Sequence, residues 1–462
     1  MNLRNRLGSK SFYKMVLSVA VPMMIQNGLS NLVSLVDNFM IGRVGTNALS
    51  GVAIANQLVF VYYLLIFGAT AGVGIFTAQY YGKGDVEGVR DTFRFKLIAN
   101  TALALVSVVV FIMLAPRLIS LFLQGEGAPE DAAQTLKIGV DYIKIILLSL
   151  VPIGLSMAYS GTLRDTGHTK VPMAASMVAI LVNLIGDAVL IYGLFGLPAM
   201  GANGAAAATV IARVVELMVL VIYTGTHASV HGFIVGAFRG FRLPLSLCWK
   251  FILKSIPLMA NETLWSLGMT VLNQCYSYRS LSAVAAVNIE STLWNLMSVS
   301  FVAMGESVGI IVGQILGTGD IAKAKDHAIK IRDFTVFCGV IFGLLMAVLA
   351  PIFPNLPFYN VSDEVRSLAT TLILLSGIVM PLMSYTHASY FIIRAGGNTL
   401  ITFVFDCGYT WLIVVPVAYC LSRFTSVGVP LMMFTVQWLE LIKCFTGWIM
   451  VRSGVWAKNL VR

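Results

Sequence analysis

The chain has 462 residues, 58% of them Ala, Val, Ile, Leu, Met, Phe, Trp, Tyr or Cys and 11% charged, against roughly 25% charged in an average soluble domain. Twelve helices of about 20 apolar residues would use about 240 of the roughly 268 apolar residues present. This excludes a soluble globular enzyme, a disordered chain and, despite a net charge of +10, a nucleic-acid-binding domain. The chain reads as an all-α polytopic membrane protein.

Hydrophobic windows place spans near 13–40, 49–79, 94–116, 137–162, 172–195 and 203–225. A second group follows near 250–275, 282–316, 331–353, 367–393, 400–421 and 428–450. The spans alternate with gaps of unequal basicity. Arg4, Arg6, Lys10 and Lys14 open the chain; Lys83, Arg90, Arg94 and Lys96 follow the second span, and Arg164 and Lys170 the fourth. Arg239, Arg242, Lys250 and Lys254 follow the sixth, Lys323, Lys325, Lys330 and Arg332 the eighth, Arg394 the tenth, and Arg452, Lys458 and Arg462 the twelfth. The intervening gaps carry Arg43, Arg279, Arg366 and Arg423, and one holds the acidic stretch 125–131. Short loops rich in Lys and Arg remain cytoplasmic, so both termini are expected inside a multi-pass cell membrane protein, with no cleaved signal.

The two halves match at a nearly constant offset. Shifting by 235 places Pro22 on Pro257, Ala48 on Ala283, Gly74 on Gly309, Gln79 on Gln314, Gly82 on Gly317 and Asp85 on Asp320. At 230, Arg164, Gly167 and Thr169 fall on Arg394, Gly397 and Thr399; at 224, Gly204 and Glu216 fall on Gly428 and Glu440. A duplicated six-span unit follows, giving an N-terminal lobe at 1–225, a cytoplasmic linker at 226–246 and a C-terminal lobe at 247–462. Six is even, so the lobes should relate by a pseudo-twofold along the membrane normal, as in many secondary transporters. Each half also carries small residues every fourth position (Thr70, Gly74, Ala78, Gly82; Gly305, Gly309, Gly313, Gly317), the pattern of a packing seam within each bundle.

The six cysteines lack metal-ligand spacing and read as free thiols, and the five histidines are expected to form no cluster. Acids inside the spans are less ordinary. Asp37, Asp187, Glu216, Glu262, Glu290, Glu306, Asp406 and Glu440 each face a cost of about 2.5–3.5 kcal/mol at mid-bilayer. Arg213 lies three residues before Glu216, and Lys443 three after Glu440, so local pairing accounts for those two. Asp187 lies one helical turn after Asn183, and Asp37 can meet them if the first span packs on the fifth. Such an oxygen cluster suits sodium or a proton. Glu262 falls opposite Asn27 in the other half and, with Glu290, Glu306 and Asp406, forms a weaker set of substrate or proton candidates.

The stretch Gly161-Thr-Leu-Arg164-Asp-Thr-Gly167-His-Thr169, followed by Val182-Asn183, Asp187, Tyr192-Gly193 and Gly201-Ala-Asn-Gly204, resembles the MATE (multidrug and toxic compound extrusion) family. Asp37 with Ile41-Gly42 and Ala48-Leu49 is similar to its first-to-second-span signature. The resemblance covers nearly the whole chain. It implies two six-helix lobes that alternate between inward- and outward-facing states, and an exporter exchanging amphipathic, often cationic, compounds for Na+ or H+. It assigns the coupling ion, bound as a metal ligand set if sodium, to Asp37, Asn183, Asp187 and Thr209, and matches a seventh-span glutamate of NorM-like members to Glu262. The NorM-like tenth-span aspartate has no counterpart in Leu382-Met383-Ser384-Tyr385, near His387.

No cofactor beyond the coupling ion is expected, no nucleic-acid partner, and a monomer in the lipid bilayer. A lipid-linked precursor flippase of the same superfamily is the alternative, but it would need a more cationic cavity. An enzyme is not expected: prenyl diphosphate Asp-rich pairs, a His-Glu-x-x-His helix, a Gly-x-Ser-x-Gly elbow and a phosphate-binding Gly-x-x-x-x-Gly-Lys loop are all absent.

Overall fold

The structure, a computed structural model, describes residues 8–123, 129–240, 243–357 and 359–462, apart from the side chain of Leu281. Arg4, Arg6, Arg242 and the segment 125–128 of the acidic stretch lie outside the described residues. Among the described residues twelve long helices follow one another: α1 (Lys10–Gly42), α2 (Thr46–Lys83), α3 (Val86–Phe122), α4 (Pro129–Asp165), α5 (Lys170–Tyr192), α6 (Ala202–Thr226), α7 (Leu245–Ser277), α8 (Leu281–Thr318), α9 (Ile321–Leu349), α10 (Asp363–Ala395), α11 (Thr399–Phe424) and α12, which runs as Val429–Trp438 and Glu440–Ser453. Among the described residues, ten are long and apolar enough to cross a bilayer. The exceptions are α7, which carries Lys250, Lys254, Asn261 and Glu262, and α12, which breaks at Leu439 into runs of 10 and 14 residues.

By contact the helices form two compact units. The first comprises Ile25–Thr77 and Asp85–Ser255; the second comprises Met1–Met24, Ala78–Gly84 and Ile256–Arg462. The chain therefore changes unit within α1 and within α7, close to the paired prolines Pro22 and Pro257, each of which lacks the N–H of a regular helical bond.

In the first unit, α2, α3 and α4 pack through Val52, Tyr62, Ile66, Ile119, Ile143 and Leu150, and the Tyr62 hydroxyl donates to Leu150 O at 2.6 Å. Lys96, grouped by sequence with the basic gap residues, is instead fully buried on α3. Its Nζ lies 2.7 Å from Asp165 Oδ2 at the end of α4 and 3.4 Å from Thr162 Oγ1. Gly74 makes room for this pair, since a Cβ there would meet the Asp165 carboxylate at 2.8 Å.

The second unit holds the crossing of α2 with α8. A Cβ on Gly82 would strike the Gln314 carbonyl, and one on Gly317 would strike the Gln79 carbonyl. The contact is reciprocal under the 235-residue offset. The small-residue stripes thus do more than line separate bundles: their last turns press against each other, backbone to backbone. Residues 456–461 lie over this crossing. Gln79 Nε2 donates to Ala395 O and Lys458 O, Leu460 N donates to Gln79 Oε1, and Lys83 Nζ donates to Val461 O.

The repeated motifs are turn chemistry. Gly84 and Gly319 sit at φ 78° and 87°, where only glycine is unstrained, and the next residues cap α3 and α9. Asp85 Oδ1 accepts from Gly88 N at 2.8 Å and Asp320 Oδ1 from Lys323 N at 2.9 Å, satisfying amides that open each helix.

Three of the five histidines do come together, contrary to the sequence reading. The loop after α6 folds back on the α4–α5 turn, setting the rings of His168 and His231 edge to face at 4.7 Å, with Tyr223 stacked on His227. Burial, and then repulsion from His168 and His227, pushes the His231 imidazole down to about 4. A histidine lowered in the folded state supports folding fully above its ordinary value of about 6.5 and loses that support as pH falls towards about 4.

Two outcomes follow. Between about pH 7 and about pH 5 the wild type should lose about 1–2 kcal/mol more stability than His231→Phe, read from thermal midpoints at each pH; parallel curves would contradict this. Gly317→Val should cost about 1–3 kcal/mol through backbone collision, whereas Gly225→Ala, with no atom within 4 Å of the new Cβ, should change stability little.

Candidate functional site

The first unit gathers the sequence-predicted ion set. Asn183 and Asp187 are buried on one face of α5, and Asp37 is half-buried late in α1. The carboxyls of Asp37 and Asp187 lie within hydrogen-bonding reach of each other. One oxygen of each, Asp37 Oδ1 and Asp187 Oδ1, is buried without a hydrogen-bond partner among the described residues. On α6 the Thr209 hydroxyl donates to Ala205 O at 2.9 Å, which turns its lone pairs towards Asn183 Nδ2 at 3.5 Å. These oxygens come from three helices, so the cluster is created by packing.

Sequence reading missed what surrounds it. Tyr142 on α4 feels both carboxyls, and its hydroxyl donates to Asn56 Oδ1 of α2 at 3.2 Å. Neither residue is charged, and each lies far along the chain from the acids, so periodicity gives no hint of them. Deeper in the unit, Arg213 Nη1 lies 2.8 Å from Glu216 Oε2, as their spacing on α6 led us to expect. Glu216 Oε1 also accepts from Ser176 Oγ at 2.8 Å, and Ser176 accepts from Gln26 Nε2 at 2.7 Å. This chain ties α1 to α5 and α6 just after Pro22, and the Arg213 charge reaches Asp37.

The weaker candidates fall in the second unit, where Asp406 has a basic partner that the sequence reading did not assign to it. Lys443 is closer to Asp406, at 2.6 Å on Oδ1, than to Glu440 at 3.9 Å, so the pairing inferred from spacing along α12 is the minor one. Glu440 instead accepts from the Thr386 hydroxyl at 2.7 Å. Asp406 Oδ2 accepts from Asn261 Nδ2 at 3.0 Å; Asn261 also donates to Tyr390 Oη at 3.3 Å, and Tyr390 donates to Glu262 at 3.5 Å. Glu262 and Asp406 thus belong to one network across α7, α10, α11 and α12. Glu290 is separate: buried on α8, it accepts from Ser376 at 2.6 Å and Ser291 at 3.4 Å, while Gln437 donates to Ser376 at 2.9 Å. Glu306 is half-buried on α8 and has a partner of its own.

This set of apolar spans around buried carboxyls, built twice from one unit, is a membrane transporter's architecture. The MatE family pattern matches residues 22–189 and again 257–420, and the chain belongs to that family. It is similar to the probable multidrug resistance protein NorM of Thermotoga maritima, 25% identical over 90% of this chain and 87% of the relative. It is also similar to the probable multidrug resistance protein YoeA of Bacillus subtilis, 24% identical over 88% of this chain and 87% of the relative. Among solved structures, an outward-facing multidrug resistance MATE family transporter of the MOP superfamily superposes with a TM-score of 0.84 at 18% identity, covering 96% of both chains. The Vibrio cholerae MATE transporter VcmN in its bent form gives 0.83 at 19%, covering 97% of this chain and 98% of the other. At these identities the likeness establishes the fold: twelve helices of the MATE type.

Tyr142→Phe removes one hydroxyl beside the two carboxyls and keeps the ring in its core. Transport should fall about fivefold, equivalent to about 1 kcal/mol, with the thermal midpoint nearly unchanged. An unaltered rate in reconstituted vesicles would remove Tyr142 from the site.

Proposed function

We propose that this protein is an ion-coupled exporter of amphipathic organic compounds, often cationic, driven by an inward Na+ or H+ gradient and working by alternating access. The observation that carries the reading is the Asp37–Asp187 pair. Two carboxyls within hydrogen-bonding reach in an apolar unit are stable together only with a proton or a cation between them. Asp37 Oδ1 and Asp187 Oδ1 supply unsatisfied oxygens, and Asn183 and Thr209 supply neutral ones, a hard-donor set suited to sodium or to a shared proton. The multidrug resistance assigned to the NorM and YoeA relatives supports organic compounds as the cargo.

Coupling follows from differential affinity. An ion shifts the inward–outward equilibrium only by binding one state better, and a substrate that prefers the other state is then exchanged for it. Occupancy cancels the repulsion between Asp37 and Asp187 and changes which arrangement of α1 against α5 is favoured. The Lys and Arg bias of the alternate gaps supports cytoplasmic termini, and the proposed working form is a monomer in the bilayer. The flippase alternative, which requires free deep cations for a polyphosphate, gains little support from Lys96, Arg213 and Lys443, each of which is paired with a carboxylate.

The test uses purified protein in liposomes with Na+ and pH gradients imposed separately and a fluorescent organic cation as cargo. Asp37→Asn and Asp187→Asn should each reduce gradient-driven transport at least about tenfold while leaving the thermal midpoint near that of the wild type. Full transport in both variants would overturn the assignment, and ATP-dependent uptake would overturn the class of mechanism.

A further inference from the structure

The internal duplication allows one unit to be read against the other, position by position. In the first unit, Gln26, Ser176 and Glu216 form a hydrogen-bonded chain with one carboxylate and one cation, Arg213. The offsets of 235, 230 and 224 carry Gln26, Ser176 and Glu216 onto Asn261, Asp406 and Glu440. The second unit builds the same junction of helices with a carboxylate in place of the serine. The cation has also moved. Arg213 corresponds to the neutral Gln437, and Lys443 corresponds to Val219.

The surroundings of the Lys443 ammonium are those of a bound ligand. Nζ lies 2.6 Å from Asp406 Oδ1 and 3.9 Å from Glu440 Oε1, with the rings of Phe405 and Tyr409 at 5.4 and 5.5 Å. Two carboxylates and two aromatic faces are the elements by which proteins recognise ammonium groups. The π-helical turns 404–408 and 410–414 of α11 widen the helix around Asp406. Asn261, 1% exposed, donates its amide N–H to Asp406, and among the described residues its Oδ1 and the buried Tyr409 hydroxyl have no hydrogen-bond partner. Both are polar atoms of this junction left unsatisfied.

The second unit has also lost the ion set of the first. Asp37 and Thr209 correspond to Leu272 and Met433, which pack in one hydrophobic cluster with Ala418, and the stretch of α11 opposite Asn183 and Asp187 reads Ile413-Val-Val-Pro-Val-Ala418.

We propose that the junction of α7, α11 and α12 is an ammonium-binding site whose ligand is the chain's own Lys443, a tethered cation that fixes the charge of the second unit. An exchangeable ion then has no role there, and removal of the Lys443 side chain opens a site for a small primary alkylammonium ion.

The experiment reads thermal stability and so does not depend on which residues couple transport. Purified Lys443→Ala is titrated at neutral pH with n-propylammonium chloride, and with sodium chloride at equal ionic strength. Its midpoint should fall by on the order of 10 °C, since two carboxylates lose their partner. Propylammonium should recover at least about half of that loss, more than sodium does, while leaving the wild type unchanged, as expected for a ligand that binds only the vacated folded site. Asp406→Asn combined with Lys443→Met should be more stable than Lys443→Met alone and indifferent to the amine. Absence of amine recovery in Lys443→Ala, equal recovery in the wild type, or a double variant no better than Lys443→Met would each overturn the proposal. If Lys443→Ala does not accumulate in membranes, accumulation of the double variant supports the tethered cation and its failure overturns it.

Discussion

A charged side chain in hydrocarbon carries a cost that no surface residue meets, about 2.5–3.5 kcal/mol at mid-bilayer even on insertion scales. The deep charges of this protein are arranged around that cost. Lys96 is bound to Asp165, Arg213 to Glu216 and Lys443 to Asp406, and Glu290 is held by Ser376 and Ser291. Asp37 and Asp187 stand apart from this pattern, as two carboxyls facing each other with one unpartnered oxygen apiece.

Helix packing obeys a second consequence of the same solvent. Lipid tails are as apolar as leucine, so the helices gain little by hiding apolar side chains from it, and close backbone approach and polar bonds must hold them together. Several glycines therefore sit where helices meet as well as where they end. Gly82 and Gly317 bring the last turns of α2 and α8 into backbone contact, and Gly74 admits the Lys96–Asp165 pair. The Gln79 amide bonds to the carbonyls of Ala395 and Lys458, so the crossing is fastened by hydrogen bonds as well as by shape.

Duplication gave the two units one plan and left them free to diverge in charge. The first unit has neutral Ser176 bonded to Glu216 in its polar chain, and two further acids at Asp37 and Asp187. The second has an acid at 406, paired with Lys443, and has Leu272 and Met433 at the positions that match Asp37 and Thr209. A buried carboxylate added without a cation is strongly destabilising, so Asp406 and Lys443 depend on each other.

Composition, charge alternation and the repeat offsets by themselves determined the helical membrane class, the duplicated plan and the identity of the acids that need an explanation, because burial in lipid restricts residue type all along a span. They also marked Asn183 and Asp187 as neighbours, since one helical turn is a local distance. Which charges answer each other was decided only by tertiary packing. Lys443 is three residues from Glu440 yet closer to Asp406 on another helix; Lys96 looked like a solvated loop cation and is buried; Tyr142, Asn56, Asn261 and Tyr390 carry no charge and join their networks across long stretches of chain. The physical reason is range. Helical periodicity relates residues within a turn or two, whereas an electrostatic partner is any group within a few ångströms, and the fold alone sets which groups those are.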